Sequence, residues 1–88
     1  MNDITLDEIK RLLPEEALPL LDRYIACHEN DDRAYTLRGM KYWAMGSRAL
    51  AIKDYLSAIR INPDSNARMA LQSANAILDY YSKDLLNP

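Results

Sequence analysis

The chain has 88 residues, which is enough for one domain at most. Apolar residues make up 49% of it, a share that provides a packed core and argues against a disordered chain. The 11 basic and 13 acidic residues are interspersed and leave a net charge of -2, so no basic stripe is available to neutralise phosphates, and we expect no nucleic-acid partner.

The number of cysteines and the length of the apolar runs indicate the cellular compartment. Cys27 is the only cysteine, so no internal disulfide can form, which suits a reducing compartment. The first residues show no basic region followed by an apolar run, and no apolar stretch approaches the ~20 residues needed to cross a bilayer. We therefore expect a cytoplasmic protein that does not contact a membrane.

Two helices are predicted in the first third of the sequence. Thr5 and Glu8 fit a capping box that starts the first helix, and Pro14 ends that helix or opens the second. The second helix is expected to extend to about His28. Pro19 lies inside it, where proline costs ~3 kcal/mol, so we expect the helix to start late or to kink.

Three further helices are predicted, each bounded by turn residues. The third ends near Met45, where Gly46 takes the left-handed conformation and Ser47 caps the fourth helix. The fourth helix continues to Ile61. Residues 62–65 are predicted to end the fourth helix and to cap the fifth. The fifth helix is expected over about 66–82, and a tail follows over 83–88.

A pattern of small and aromatic residues distinguishes the segment from Asp32 to Ser65. Its members are Tyr35, Gly39, Tyr42, Ala51, Tyr55, Ala58 and Pro63. The small pair Gly39 and Ala51 allows two antiparallel helices to approach closely, and the tyrosines fill the space around that contact. The spacings and the length of the segment resemble the tetratricopeptide repeat (TPR), a 34-residue helix–turn–helix.

The resemblance implies an all-α fold, a right-handed stack of about five helices in a single domain. It divides the chain into a degenerate first repeat over about 1–31, a full repeat over 32–65, and a capping helix with its tail over 66–88. Arg38 departs from the motif because leucine is usual there. A known variant of the motif pairs such an arginine with Asp-aromatic, here Asp54-Tyr55, so we expect a partly buried, bidentate ion pair between Arg38 and Asp54. The alternative is that Arg38 extends to solvent.

The family also implies a binding surface, because the first helix of each repeat lines a concave groove. The corresponding residues are Arg33, Thr36, Met40, Trp43, Ala70, Ala74 and Ile77. Met40 and Trp43 are three residues apart and would form a joint apolar patch, unless Trp43 packs in the core. None of the positions that match the carboxylate clamp of some family members is basic or an amide, so an apolar or helical ligand is expected.

The resemblance implies a protein–protein interaction module that binds a peptide, a helix or a partner protein. One alternative is a structural homodimer that buries the same apolar surface, because the last helix is apolar around most of its circumference. The tail, with Leu85 and Leu86, would otherwise fold back over it. Another alternative is a regulatory domain of unknown ligand, but that needs convergent polar groups which the sequence does not supply.

The sequence offers little for catalysis. Cys27 and His28 are adjacent, so on a helix their side chains point about 100° apart and do not form a nucleophile–base pair. One histidine and one cysteine cannot build a zinc cluster, and Asp31-Asp32 is better explained as a helix cap than as a metal site. We therefore expect no catalytic residue, no metal and no cofactor.

Overall fold

A computed structural model describes the backbone of residues 4–86 and the side chains of residues 4–76. This part of the chain forms five α-helices and no strand, so the predicted all-α class and the number of helices are confirmed. The helices are α1 (Leu6–Lys10), α2 (Pro14–Cys27), α3 (Asp32–Ala44), α4 (Arg48–Ile61) and α5 (Ala67–Leu86).

The starts of α1 and α2 follow the predicted capping chemistry. The Thr5 hydroxyl accepts a hydrogen bond from the Glu8 backbone N–H at 3.2 Å, and the Glu8 carboxylate accepts one from the Thr5 N–H at 3.2 Å. This reciprocal pair satisfies two amide groups that the first turn leaves free. Pro14 is the first residue of α2, so it opens the second helix rather than ending the first.

The turn between α3 and α4 is made by backbone groups. Gly46 has a φ of 81°, the left-handed conformation that glycine adopts without strain, as predicted. The Ser47 N–H then donates to the Tyr42 carbonyl at 2.9 Å, which ends α3 as in a Schellman motif. The predicted Ser47 cap is wrong, because its side chain makes no cap hydrogen bond to α4.

Helix α2 continues through Pro19 from its first residue, so a late start is wrong. Pro19 cannot donate a hydrogen bond to the Glu15 carbonyl. Pro19 and Glu15 are both exposed, and water can therefore satisfy that carbonyl. The exposed position of the proline explains how the helix tolerates it.

Helix α5 is longer than the sequence analysis predicted. It begins at Ala67, whose N–H donates to the Ser65 hydroxyl at 3.1 Å, and it continues to Leu86. Residues 83–86 therefore extend the helix, and the alternative in which this tail folds back with Leu85 and Leu86 is wrong. The segment contains no glycine or proline that would end a helix before Pro88, which lies outside the described residues.

The core consists of two clusters that meet at α3. Ile9, Ala17, Leu21 and Leu37 form the first cluster and join α1, α2 and α3. Ala51, Tyr55, Ala58 and Ala67 form the second cluster and join α4 to α5, and Tyr35, Tyr42 and Trp43 of α3 pack against it. Helix α3 thus lies at the centre of the molecule.

Helices α3 and α4 touch at the predicted small residues. A Cβ atom placed on Gly39 would lie 2.6 Å from the Tyr55 Cε1 atom and 3.1 Å from the Ala51 carbonyl oxygen. The first distance is too short for a Cβ contact, and the second is tighter than most such contacts. The close approach of the two helices at Gly39 and Ala51 is therefore confirmed.

The predicted ion pair between Arg38 and Asp54 is also present. The Arg38 Nε donates to Asp54 Oδ2 and its Nη2 donates to Asp54 Oδ1, both at 2.8 Å, which is the bidentate geometry expected for this pair. The Arg38 Nη1 reaches Asp22 Oδ1 on α2 at 3.0 Å, a contact that the sequence analysis missed. The hydrogen bonds to Asp54 raise the pKa of the guanidinium, so Arg38 stays charged and links three helices.

Candidate functional site

A small cleft of about 180 Å³ lies between α1, α3 and the turn that precedes α5. Three of the seven predicted groove residues, Arg33, Thr36 and Met40, lie in it together. Their spacing of three and four residues places them on one face of α3. The full lining consists of Leu6, Asp7, Lys10, Asp32, Arg33, Thr36, Leu37, Met40, Ser65 and Asn66.

The floor of the cleft is made of polar groups that are already bonded within the protein. The Thr36 side chain is buried, and its hydroxyl donates to the Asp32 carbonyl at 2.9 Å. The same hydroxyl lies 3.2 Å from the Ser65 hydroxyl, which in turn accepts from the Ala67 N–H. Thr36 therefore ties α3 to the start of α5 and offers little to a ligand.

The rim of the cleft is open to solvent and mixes one apolar side chain with charges. Met40 is 43% exposed, and it stands on the cleft face of α3. Lys10, Arg33 and Asp7 are exposed around it. Arg33 makes only a long contact with Asp31, 3.5 Å from Nε to Oδ1, so its guanidinium remains accessible. The rim can therefore offer one apolar contact flanked by ionic ones.

Trp43 does not join Met40 in the cleft. It is half-buried against the second core cluster, and the Arg48 guanidinium carbon lies 4.9 Å from the centroid of its ring. Trp43 is one turn further along α3 than Met40, where α4 begins beside it. Its position fits the alternative that this residue packs against the core, and it does not share the lining of the cleft with Met40.

The predicted groove residues of α5 also lie away from the cleft. Ala70 packs against the second core cluster, and Ala74 is buried. Both small side chains are thus taken up by packing within the protein. Ile77 was the third of these predictions, and its side chain lies outside the described residues.

A larger cavity, of about 720 Å³, lies between α1 and α2 and was not predicted from the sequence. Tyr24 in its wall donates from its hydroxyl to Asp31 Oδ2 at 2.9 Å, and burial together with this bond raises the pKa of Tyr24. The His28 ring stacks on Tyr24 with centroids 4.0 Å apart, and its Nδ1 lies 2.9 Å from the Tyr24 carbonyl oxygen. The carbonyl can only accept, so Nδ1 carries the hydrogen, and the ring is oriented by Tyr24.

Among the described residues, no group of three or more His, Cys, Asp or Glu side chains is placed to hold a metal ion. Over the same part of the chain, no helix combines the length and the apolar character needed to cross a membrane. Comparisons with protein-family models, curated proteins and solved structures found no match.

Proposed function

We propose that this protein is a TPR-like interaction module, without catalytic activity, that binds a segment of another polypeptide in the cleft between α1, α3 and the turn that precedes α5. The observation that carries the proposal is the arrangement of Arg33 and Met40. Both were expected to line a groove from their positions in the repeat, and both stand on the rim of the cleft with Lys10 from a different helix.

The packing of α3 and α4 supports the repeat on which the proposal depends. Gly39 and Ala51 form the close helix contact, and Arg38 pairs with Asp54 in two hydrogen bonds. A resemblance to a family does not by itself define a ligand. The chemistry of the cleft has to define it instead.

The lining of the cleft fits a peptide that presents one apolar side chain between charged ones. Met40 and the half-buried Leu6 provide the apolar contact, while Lys10 and Arg33 can pair with carboxylates of the ligand. The polar groups of the floor bond to each other, so none of them is free to act on a substrate. A shallow, mixed surface of this kind suits recognition of a peptide.

Peptide binding can be tested with a matched pair of methionines. Met45 is 51% exposed, close to the 43% of Met40, but it lies beyond the end of α3 and outside the cleft. Peptides would be selected from a random library on the immobilised protein, and their Kd measured by fluorescence anisotropy. We expect Met40→Lys to weaken binding ~10-fold or more, since it removes the apolar contact, and Met45→Lys to bind as wild type does.

Two outcomes would contradict peptide binding in the cleft. If Met45→Lys weakens the selected peptides as strongly as Met40→Lys, or if neither substitution changes the Kd, the peptides bind elsewhere. Circular dichroism of both variants would establish that each retains the helical fold.

A further inference from the structure

The cleft on α3 is too small to enclose a ligand by itself. Its volume of about 180 Å³ lies below the range of roughly 300–1,000 Å³ in which protein pockets bury a small molecule. A polypeptide segment that binds there therefore extends beyond it. The cavity of about 720 Å³ between α1 and α2 lies beside the cleft and offers such a segment a place to continue.

Three residues belong to the walls of both the cleft and the cavity. They are Leu6 and Asp7 at the start of α1 and Arg33 in the first turn of α3. The other end of α1 lies near the end of α3, since the Lys41 ammonium donates to the Lys10 carbonyl. Helices α1 and α3 thus run in the same direction. The cleft follows them to Asp7 and Arg33 and opens there into the cavity, so that the two form one extended groove.

The charges along this extended groove favour an acidic ligand. The basic side chains of its lining are Lys10, Arg23 and Arg33, and the acidic ones are Asp7 and Asp32. The groove is therefore basic on balance, whereas the whole chain has a net charge of -2. A segment that carries carboxylates is attracted to the groove and repelled by the remaining surface, which selects this site over others.

The cavity end of the groove combines an apolar wall with aromatic rings and a cation. Leu20 and Tyr24 of α2 line it, and the Tyr24 hydroxyl is already bonded to Asp31, so the ring presents its apolar body to a ligand. The exposed His28 stacks on Tyr24 with one face, and an aromatic side chain can extend this stack on the other. Arg23 is exposed in the same lining and can pair with a carboxylate beside that side chain.

We propose that the ligand is an acidic peptide segment that occupies the whole extended groove. It places an apolar side chain at Met40, an aromatic side chain in the cavity between α1 and α2, and a carboxylate at Arg23. Binding in the cavity rests on the proposed function, because the same peptide occupies both parts of the groove. The two parts use different side chains, so each can be tested separately.

Reversal of the charge at Arg23 tests the cavity. Peptides selected from the random library on wild type would be titrated by fluorescence anisotropy against Arg23→Glu and Arg60→Glu. Arg60 is the matched control, because it is exposed on α4 outside the extended groove and its reversal changes the net charge equally. We expect Arg23→Glu to raise the Kd ~5-fold or more, since repulsion replaces attraction, and Arg60→Glu to bind as wild type does. A peptide with lysine in place of its acidic residue should regain affinity for Arg23→Glu.

The single cysteine gives a second readout, because Cys27 is exposed and lines the cavity. Its alkylation by a maleimide dye, followed by mass spectrometry, should slow ~5-fold or more with the peptide at ~10 times its Kd, since the bound peptide covers the thiol. Protein labelled at Cys27 should in turn bind the peptide more weakly. The Cys27→Ser variant, treated with the dye in the same way, should keep its affinity.

The results for Met40 and for the cavity together distinguish the two proposals. If Met40→Lys weakens binding but Arg23→Glu does not, or if the peptide leaves the alkylation of Cys27 unchanged, the peptide stays within the cleft. The extended groove is then overturned and the proposed function stands. If Arg23→Glu weakens binding and Met40→Lys does not, the peptide binds in the cavity alone, and both proposals are overturned.

Discussion

Arg38 shows how one residue connects three helices. Its guanidinium reaches Asp54 on α4 with two hydrogen bonds and Asp22 on α2 with one. The two carboxylates differ in environment, because Asp54 is buried and Asp22 is exposed. Solvent therefore screens the pair with Asp22 much more than the pair with Asp54.

The two carboxylates should differ in their contribution to stability. Asp54→Ala leaves a half-buried guanidinium without its main partner, and we expect the free energy of unfolding to fall by about 3 kcal/mol, the low end for a broken buried pair because Asp22 remains. Asp22→Ala removes an exposed partner and should cost about 1 kcal/mol or less. Urea denaturation followed by circular dichroism measures both. If both variants lose the same free energy of unfolding, the burial of each carboxylate does not control its contribution to stability.

The same residues show what local sequence can predict. The pair of Arg38 and Asp54 lies within one helix hairpin, and a known variant of the repeat indicates it. The Asp22 contact comes from the preceding helix, where the aspartate is one of several exposed acidic residues and nothing marks it. Trp43 was ambiguous for a similar reason, since the helical spacing gives its face but not how close α4 and Arg48 come to it.

The crossing of α3 and α4 depends on the absence of a side chain at Gly39. A methyl group there would lie within 3 Å of the ring of Tyr55, which is buried and has little room to move. Glycine to alanine in a helix normally stabilises by roughly 1 kcal/mol. Overpacking costs about 1–3 kcal/mol. The contact with Tyr55 is below 3 Å, so we expect the overpacking cost to exceed this gain and Gly39→Ala to be destabilising by up to ~2 kcal/mol in urea denaturation.

A double-mutant cycle identifies the cause. In a Tyr55→Leu background the ring is gone, and the cost of adding Gly39→Ala should fall well below its value in wild type. If Gly39→Ala raises the free energy of unfolding in wild type, or costs the same in both backgrounds, steric contact with Tyr55 is not what requires glycine.

The ends of the helices were predictable where side chains determine them. Thr5, Glu8 and Pro14 act at helix starts as their spacing indicated. Ser47 does not, because its side chain makes no hydrogen bond to the first turn of α4. Helix α5 ends beyond the predicted position, since Lys83 and the three residues after it include no glycine or proline that would break a helix.

At the scale of the whole molecule, the number and order of the helices were predicted from the sequence, whereas most residues that line the cleft were not. The groove residues were assigned from one helix, whereas the cleft is closed by three elements, and Leu6 and Lys10 of α1 were not foreseen as its wall. The packing of a short first helix against α3 depends on long-range contacts. Those contacts leave no periodic signal in the sequence.

Helix α1 has five residues, too few to be stable alone, and it is held by contacts with the rest of the molecule. Ile9 is buried in the first core cluster. The Lys41 ammonium on α3 donates to the Lys10 carbonyl at 2.8 Å and to the Leu12 carbonyl at 2.7 Å. These carbonyls lie at the end of α1, where a positive charge also interacts favourably with the helix dipole.

Lys41→Met should therefore loosen α1 without unfolding the molecule. We expect the bonds it removes to be worth about 1 kcal/mol, so hydrogen exchange of the α1 amides should accelerate ~5-fold while the amides of α3 and α4 change little. Lys53→Met, on the exposed side of α4, is the control and should leave α1 unchanged. Because α1 forms one wall of the cleft, the Lys41 variant should also bind selected peptides more weakly. Uniform acceleration across all five helices would instead show that α1 and the remaining helices unfold as a single cooperative unit.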